Sequence, residues 1–212
     1  MKRILACVLV GALCVSLAAC NAGKKVRTDL SLRNQETDAV LTLGMSKEGV
    51  EKLLGSGQQV NQIVGQDATT NEEPYATVRY GTEANEIYVI YDNNVTAVGL
   101  SFRAFFTSEA DLDYASNWRL PNGITCGSSL EAVFTQYGEQ EDSGPNAQGE
   151  LDDPANQLIQ LFRYYFDASG QVEEPQEDSS HLVFLANGQN KKVYAISVYA
   201  MDPQELFNIA PL

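Results

Sequence analysis

One stretch of this chain is written twice. Leu43-Gly44-Met45-Ser46-Lys47-Glu48-Gly49-Val50-Glu51-Lys52-Leu53-Leu54-Gly55 is echoed by Cys126-Gly127-Ser128-Ser129-Leu130-Glu131-Ala132-Val133-Phe134-Thr135-Gln136-Tyr137-Gly138. Setting Gly44 on Gly127 brings Glu48 onto Glu131, Val50 onto Val133 and Gly55 onto Gly138 without a gap. A repeat constrains the architecture more than any single residue, because each copy must be one supersecondary unit with the same place in the fold. In the first copy Ser46 reads as an N-cap, Val50, Leu53 and Leu54 share a helical face, and Gly55 is the stop signal. In the second, Leu130, Val133, Phe134 and Tyr137 follow the i, i+3, i+4, i+7 stripe, and Ser128 with Glu131 has the spacing of a capping box. Helices this short are marginal alone, so each must dock on something.

That something reads as a sheet. Tyr75 to Tyr80 alternates, and Ile87 to Tyr91 is joined to Val95 to Phe102 across Asp92-Asn93-Asn94, a hairpin signal because Asn tolerates positive φ. The second half keeps the order, with Leu158 to Phe166, His181 to Ala186 and Val193 to Ala200. Val78-Arg79-Tyr80 matches Phe162-Arg163-Tyr164, and Val95 to Val98 matches Val193 to Ile196. The expected fold class is therefore α+β: two tandem helix-plus-antiparallel-three-strand repeats, helices packed on one face of the sheet. The expected boundaries are 39–105 for repeat 1 and 106–212 for repeat 2 with its connecting segment. Glu139 to Gln157 and Gln171 to Ser180 read as solvated loops, Ser108 to Asn117 as a capped helix, and Trp118 as a pin at the junction.

The N-terminus reads as a targeting segment. Lys2-Arg3 is followed by an apolar run from Ile4 to Val15 and then by Leu17-Ala18-Ala19-Cys20, too short a run to span a bilayer. Leu-Ala-Ala-Cys resembles the lipobox of bacterial lipoproteins. The resemblance implies a signal peptide over residues 1–19, lipidation of the Cys20 thiol, cleavage before it, and acylation of the new N-terminus with palmitate-type chains. Residues 20–38 then read as a membrane-proximal tether. The expected location is extracytoplasmic, anchored by Cys20 alone.

A net charge of −14 disfavours nucleic acid, which demands clustered Lys and Arg. It also disfavours anionic headgroups, apart from Lys24, Lys25 and Arg27 beside the anchor. Cys7 and Cys14 leave with the signal and Cys20 carries lipid, so Cys126 remains as a single cysteine and no intramolecular disulfide is expected.

Gly-Met-Ser-Lys-Glu-x-Val-x-x-Leu-Leu-Gly, followed by a Tyr-rich strand and a hairpin, resembles the repeat of β-lactamase-inhibitor-protein-like folds. The same repeat occurs singly in a small lipoprotein of the outer-membrane β-barrel assembly machinery. The pattern also looks like that of tandem extracytoplasmic lipoproteins of Gram-positive bacteria. The resemblance covers roughly residues 40 to 102 and 120 to 200 and implies the fold. It carries no inhibitor function over, because no β-lactamase-binding loop signature is present.

Candidate chemistry is sparse. Cys126 aligns with Leu43 and reads as a small buried hydrophobe. His181 is the single histidine and lacks a nucleophile-elbow context. One His and one mature Cys do not assemble a Cys/His zinc site, and the acidic runs lack calcium-loop spacing. No catalytic residue, metal or cofactor is assigned, and the chain is read as a non-enzyme. The sheet face turned away from the helices carries aromatics and two equivalent arginines, the composition of a protein-binding hot spot. Arg79, Tyr88, Arg163, Phe184 and Tyr199 are its expected partner-binding residues. The expected function is binding or scaffolding of an envelope or secreted protein or peptide. The alternatives are an inhibitor of an extracellular hydrolase, or a small-ligand carrier or enzyme with a pocket between the repeats.

Overall fold

A computed structural model describes residues 30–64, 75–106, 112–113, 115–141, 159–166, 172–173 and 179–200. The expected signal peptide, Cys20, tether residues 20–29 and much of the two acidic loops lie outside the described residues. The first half runs β1 (Ser31–Asn34), β2 (Val40–Thr42), α1 (Lys47–Leu54), β3 (Gln58–Val64), β4 (Tyr75–Tyr80), β5 (Ile87–Asp92) and β6 (Thr96–Arg103). The connection holds β7 (Phe105–Phe106), β8 (Leu112–Asp113) and β9 (Trp118–Arg119). The second half runs α2 (Leu130–Tyr137), β10 (Ile159–Phe166), β11 (Val172–Glu173), β12 (Ser180–Asn187) and β13 (Val193–Tyr199).

This corrects the expected α+β class. The described structure is mostly antiparallel β, dominated by an eight-stranded sheet in the order β11-β10-β12-β13-β6-β5-β4-β3. Each half supplies four strands to it rather than three, and two small sheets, β2-β1-β9 and β7-β8, stand beside it. The two α-helices are only eight residues each, so they cap the sheet's core face locally instead of forming a layer of equal weight. No helix among the described residues is long and apolar enough to cross a membrane.

The doubled sequence makes the same local structure twice. Ser46 and Ser129 are the N-caps, accepting from the Gly49 and Ala132 N–H groups. The second cap is thus Ser129, one residue past the expected Ser128. Gly55 and Gly138 close the helices at φ 80° and 92°, each donating its N–H to the carbonyl four residues back. Gly44 N–H bonds to Ala97 C=O and Gly127 N–H to Val193 C=O, both at 2.8 Å. Lys47 N–H reaches Val95 C=O just as Leu130 N–H reaches Lys191 C=O. Each helix start is therefore pinned to the hairpin before the last strand of its half.

These bonds shift the strand alignment. Ala97 corresponds to Val193, not to Ala195, and both final strands carry a β-bulge one residue later. In β6 the partners of Ile90 and Tyr91 are Gly99 and Ala97, so Val98 is the extra residue. In β13 Leu185 and Ala186 face Ala195 and Val193, and Tyr194 is the extra one. A bulge moves one residue to the other face. Accordingly Ala97 lies in the main core and Val98 joins Ile90, Val183 and Tyr199 on the far face, the reverse of simple alternation.

The main core packs Val50, Leu130 and Val133 of the helices over Val78, Tyr80, Val89, Leu100, Phe102, Phe162, Tyr164, Phe184, Ile196 and Val198. The two halves join at β6–β13, where Ser101 pairs with Ser197 at the centre of the seam. Their buried hydroxyls are 2.8 Å apart. Removing either hydroxyl takes away the buried partner of the other. Ser101→Ala and Ser197→Ala are therefore each expected to cost about 1 kcal/mol in denaturant unfolding. No loss in either variant would refute that arrangement.

Two further expectations fail. Residues 31–34, read as tether, form β1, whose Leu32 is fully buried and which pairs with β2 and with β9 from the connection. Within the expected helix 108–117, residues 112–113 are strand and Ala115–Asn117 are not helical; 108–111 and 114 lie outside the described residues. Trp118 does pin the junction. It is 1% exposed, and its Nε1–H donates to the Asn85 carbonyl at 2.9 Å. The Asn85 side chain in turn bonds to Asn34, Asn117 and Glu36 at 2.7–2.9 Å, tying the β1–β2 turn, the β4–β5 loop and the connection together.

Candidate functional site

The far face of the large sheet is the expected binding surface. Along its centre it is buried: Thr77, Ile90, Val98, Ser101, His181, Val183, Ser197 and Tyr199 all have little exposure. The expected partner-binding residues therefore separate into different environments.

Arg79 and Tyr88 stay together. They are directly opposite on β4 and β5, and register places Tyr88 against Ser101 on β6, two residues from Arg103 on the same face. The Arg103 guanidinium lies over the Tyr88 ring at 5.6 Å, with Nη2 3.5 Å from the phenol oxygen. The phenol donates to Glu86 at 2.7 Å, and Arg79 sits 3.7 Å from the same carboxylate. A second Arg79 nitrogen bonds to Gln58 on β3. Burial first, and the hydrogen bond to Glu86 second, push the Tyr88 phenol above its ordinary range. The Arg79 side chain remains 38% exposed and Glu86 only 10%. The result is an Arg–Tyr–Arg row across three strands, with each group held in place by a neighbour. Such pre-ordering reduces the entropy lost on binding, and Arg and Tyr are the residue types that dominate interfaces. Sequence reasoning misses Arg103, although the alternation Gly99, Ser101, Arg103 on β6 points to it.

The other three residues do not join this row. Arg163 is equivalent to Arg79 but lies on β10, with four strands between it and β4. At about 4.8 Å per strand that puts the two arginines roughly 24 Å apart across the sheet. Phe184 is fully buried on the helix side, opposite Phe162 and in ring contact with Tyr137 and Tyr164. Its expected place on the far face is one residue out of register. Tyr199 is on the far face as expected but only 3% exposed. His181 is buried beside the Tyr165 ring, with centroids 4.8 Å apart.

Cys126 is buried, its thiol directed at the Tyr194 carbonyl at 3.3 Å, and burial pushes its pKa up to about 12. A thiol so held stays protonated at neutral pH and is a poor nucleophile. Among the described residues no three His, Cys, Asp or Glu side chains gather as metal ligands would. Comparison of the chain with protein-family models, curated proteins and solved structures finds no match.

Proposed function

We propose that the chain is an extracytoplasmic binding or scaffolding lipoprotein, anchored through Cys20, that engages an acidic surface of an envelope or secreted protein. The Arg79–Tyr88–Arg103 row is the observation that carries this reading. It presents two guanidiniums and an aromatic ring, partly buried around the Glu86 carboxylate, on a protein whose net charge is −14. A cationic row on so acidic a chain favours an acidic partner, which much of the acidic remainder repels. The buried thiol of Cys126 is consistent with a role other than covalent catalysis.

Crosslinking pull-down from intact envelopes tests the reading. Arg79→Glu with Arg103→Glu is expected to reduce the crosslinked partner at least tenfold while circular dichroism stays unchanged. Arg163→Glu, on the far arm of the sheet, is expected to leave capture intact. Undiminished crosslinking by the double variant would sink the proposal. In the same preparation Cys20→Ala should move the protein from the membrane to the soluble fraction.

A further inference from the structure

The two helices differ in what they show to solvent. At the positions where α1 carries Lys47 and Glu51, α2 carries Leu130 and Phe134, and β10 has Phe162 where β4 has Val78. The unit forms its capped helix with a charged residue at the Phe134 position, so folding alone does not call for an aromatic there. Phe134 is nevertheless partly exposed, its ring edge-on to Phe162 at a centroid distance of 5.1 Å.

These side chains floor a groove of about 730 Å³ that runs the length of α2 beside β10. Lys191 and Gln160 line the end nearest the helix start, where the lysine ammonium bonds to the Gln160 carboxamide at 2.8 Å. Glu131 and Glu139 line its two ends, and both are exposed. Lys191 keeps its charge in that bond, so the lining carries two carboxylates against one ammonium, with Glu139 at the end away from the lysine. An eight-residue helix is about 12 Å long at 1.5 Å per residue. That length accepts three to four residues of extended chain at about 3.3 Å each.

We infer that this groove binds a short extended peptide whose apolar side chain rests on Phe134, backed by the buried Phe162, and whose flanking Lys or Arg meets Glu131 or Glu139. The site is separate from the Arg79–Tyr88–Arg103 row and has opposite charge preference, so the two stand or fall independently. Its first-half counterpart has no apolar floor and is not a second copy of the site.

The test is fluorescence polarisation of the purified full-length chain with a labelled Lys-Leu-Phe-Lys peptide and its acidic counterpart Glu-Leu-Phe-Glu. Saturable binding of the basic peptide alone is expected. Phe134→Glu, which installs the residue type found at Glu51, should weaken it at least tenfold, and Glu139→Gln about threefold to tenfold with no change in melting temperature. Failure of the basic peptide to bind overturns the inference, as does equal binding of both peptides. Unchanged binding by a folded Phe134→Glu protein overturns it too. Should that variant fail to fold, the Glu139→Gln affinity decides alone, and no change there is decisive against the site.

Discussion

Replacing Trp118 by alanine is expected to destabilise the protein by about 5 kcal/mol, well beyond the loss at either seam serine. Removing a fully buried Trp costs about 3–5 kcal/mol through lost burial and the cavity left behind. A further ~1 kcal/mol comes from stranding the Asn85 carbonyl that its indole N–H satisfies. Against a total stability of about 5–15 kcal/mol, that loss is enough to unfold much of the population. Trp118→Phe keeps a ring and loses the hydrogen bond, so about 1–2 kcal/mol is expected from it. Trp118 is the only tryptophan, so urea unfolding must be followed by circular dichroism rather than intrinsic fluorescence. A Trp118→Ala midpoint close to that of the wild type would show that the junction is not where the halves are pinned.

Gly81→Ala should be nearly as damaging, although Gly81 is at the surface. Its φ is +69°, which costs an L-residue roughly 1–2 kcal/mol. A methyl group there would also press on the Asn85 carbonyl oxygen and lie 2.9 Å from its carbon. That carbonyl is the Trp118 acceptor, and backbone cannot move aside without disturbing it. We expect a loss of about 3 kcal/mol, which for a domain of this size lowers Tm by about 6–12 °C. Gly123 separates the two causes: its φ is +89°, but nothing lies within 4 Å of the added carbon. Gly123→Ala should show the backbone penalty alone, about a third to two thirds of the Gly81 effect. Equal shifts at both sites would rule out the contact with Asn85.

The helix copies are legible because capping, periodicity and stop residues are local chemistry. The Ser-to-Gly spacing determines α1 and α2 within a residue. The fold class is not legible, because the elements that tip the balance toward β carry no period of their own. β1, β2, β7, β8, β9 and β11 are two to four residues long, and partners rather than sequence make them strands. β3 reads Gln-Gln-Val-Asn-Gln-Ile-Val and lies at the sheet edge, where its first residues are exposed and no apolar alternation is demanded. Arg79 opposite Tyr88 follows from one tight loop, so that part of the candidate site is readable. Phe184 is not, because a long connection separates β10 from β12 and nothing local sets their register. One residue of slip turns a core aromatic into a surface one. The bulges at Val98 and Tyr194 likewise break the alternation of the final strands.

The seam where β6 meets β13 has a consequence for what a fragment of this protein would be. Cut the chain between the halves, and each piece ends in a central strand with a bare row of N–H and C=O groups, the kind of edge that recruits another chain. The other half is its natural complement. Because Ser101 and Ser197 occupy equivalent places beyond their bulges, each piece also presents nearly the edge it needs. A lone half could therefore close against its own copy, with two identical serines meeting on the twofold axis. The intact chain amounts to such a dimer made covalent, and that linkage lets its two helices differ, Lys47 and Glu51 on one standing where Leu130 and Phe134 stand on the other.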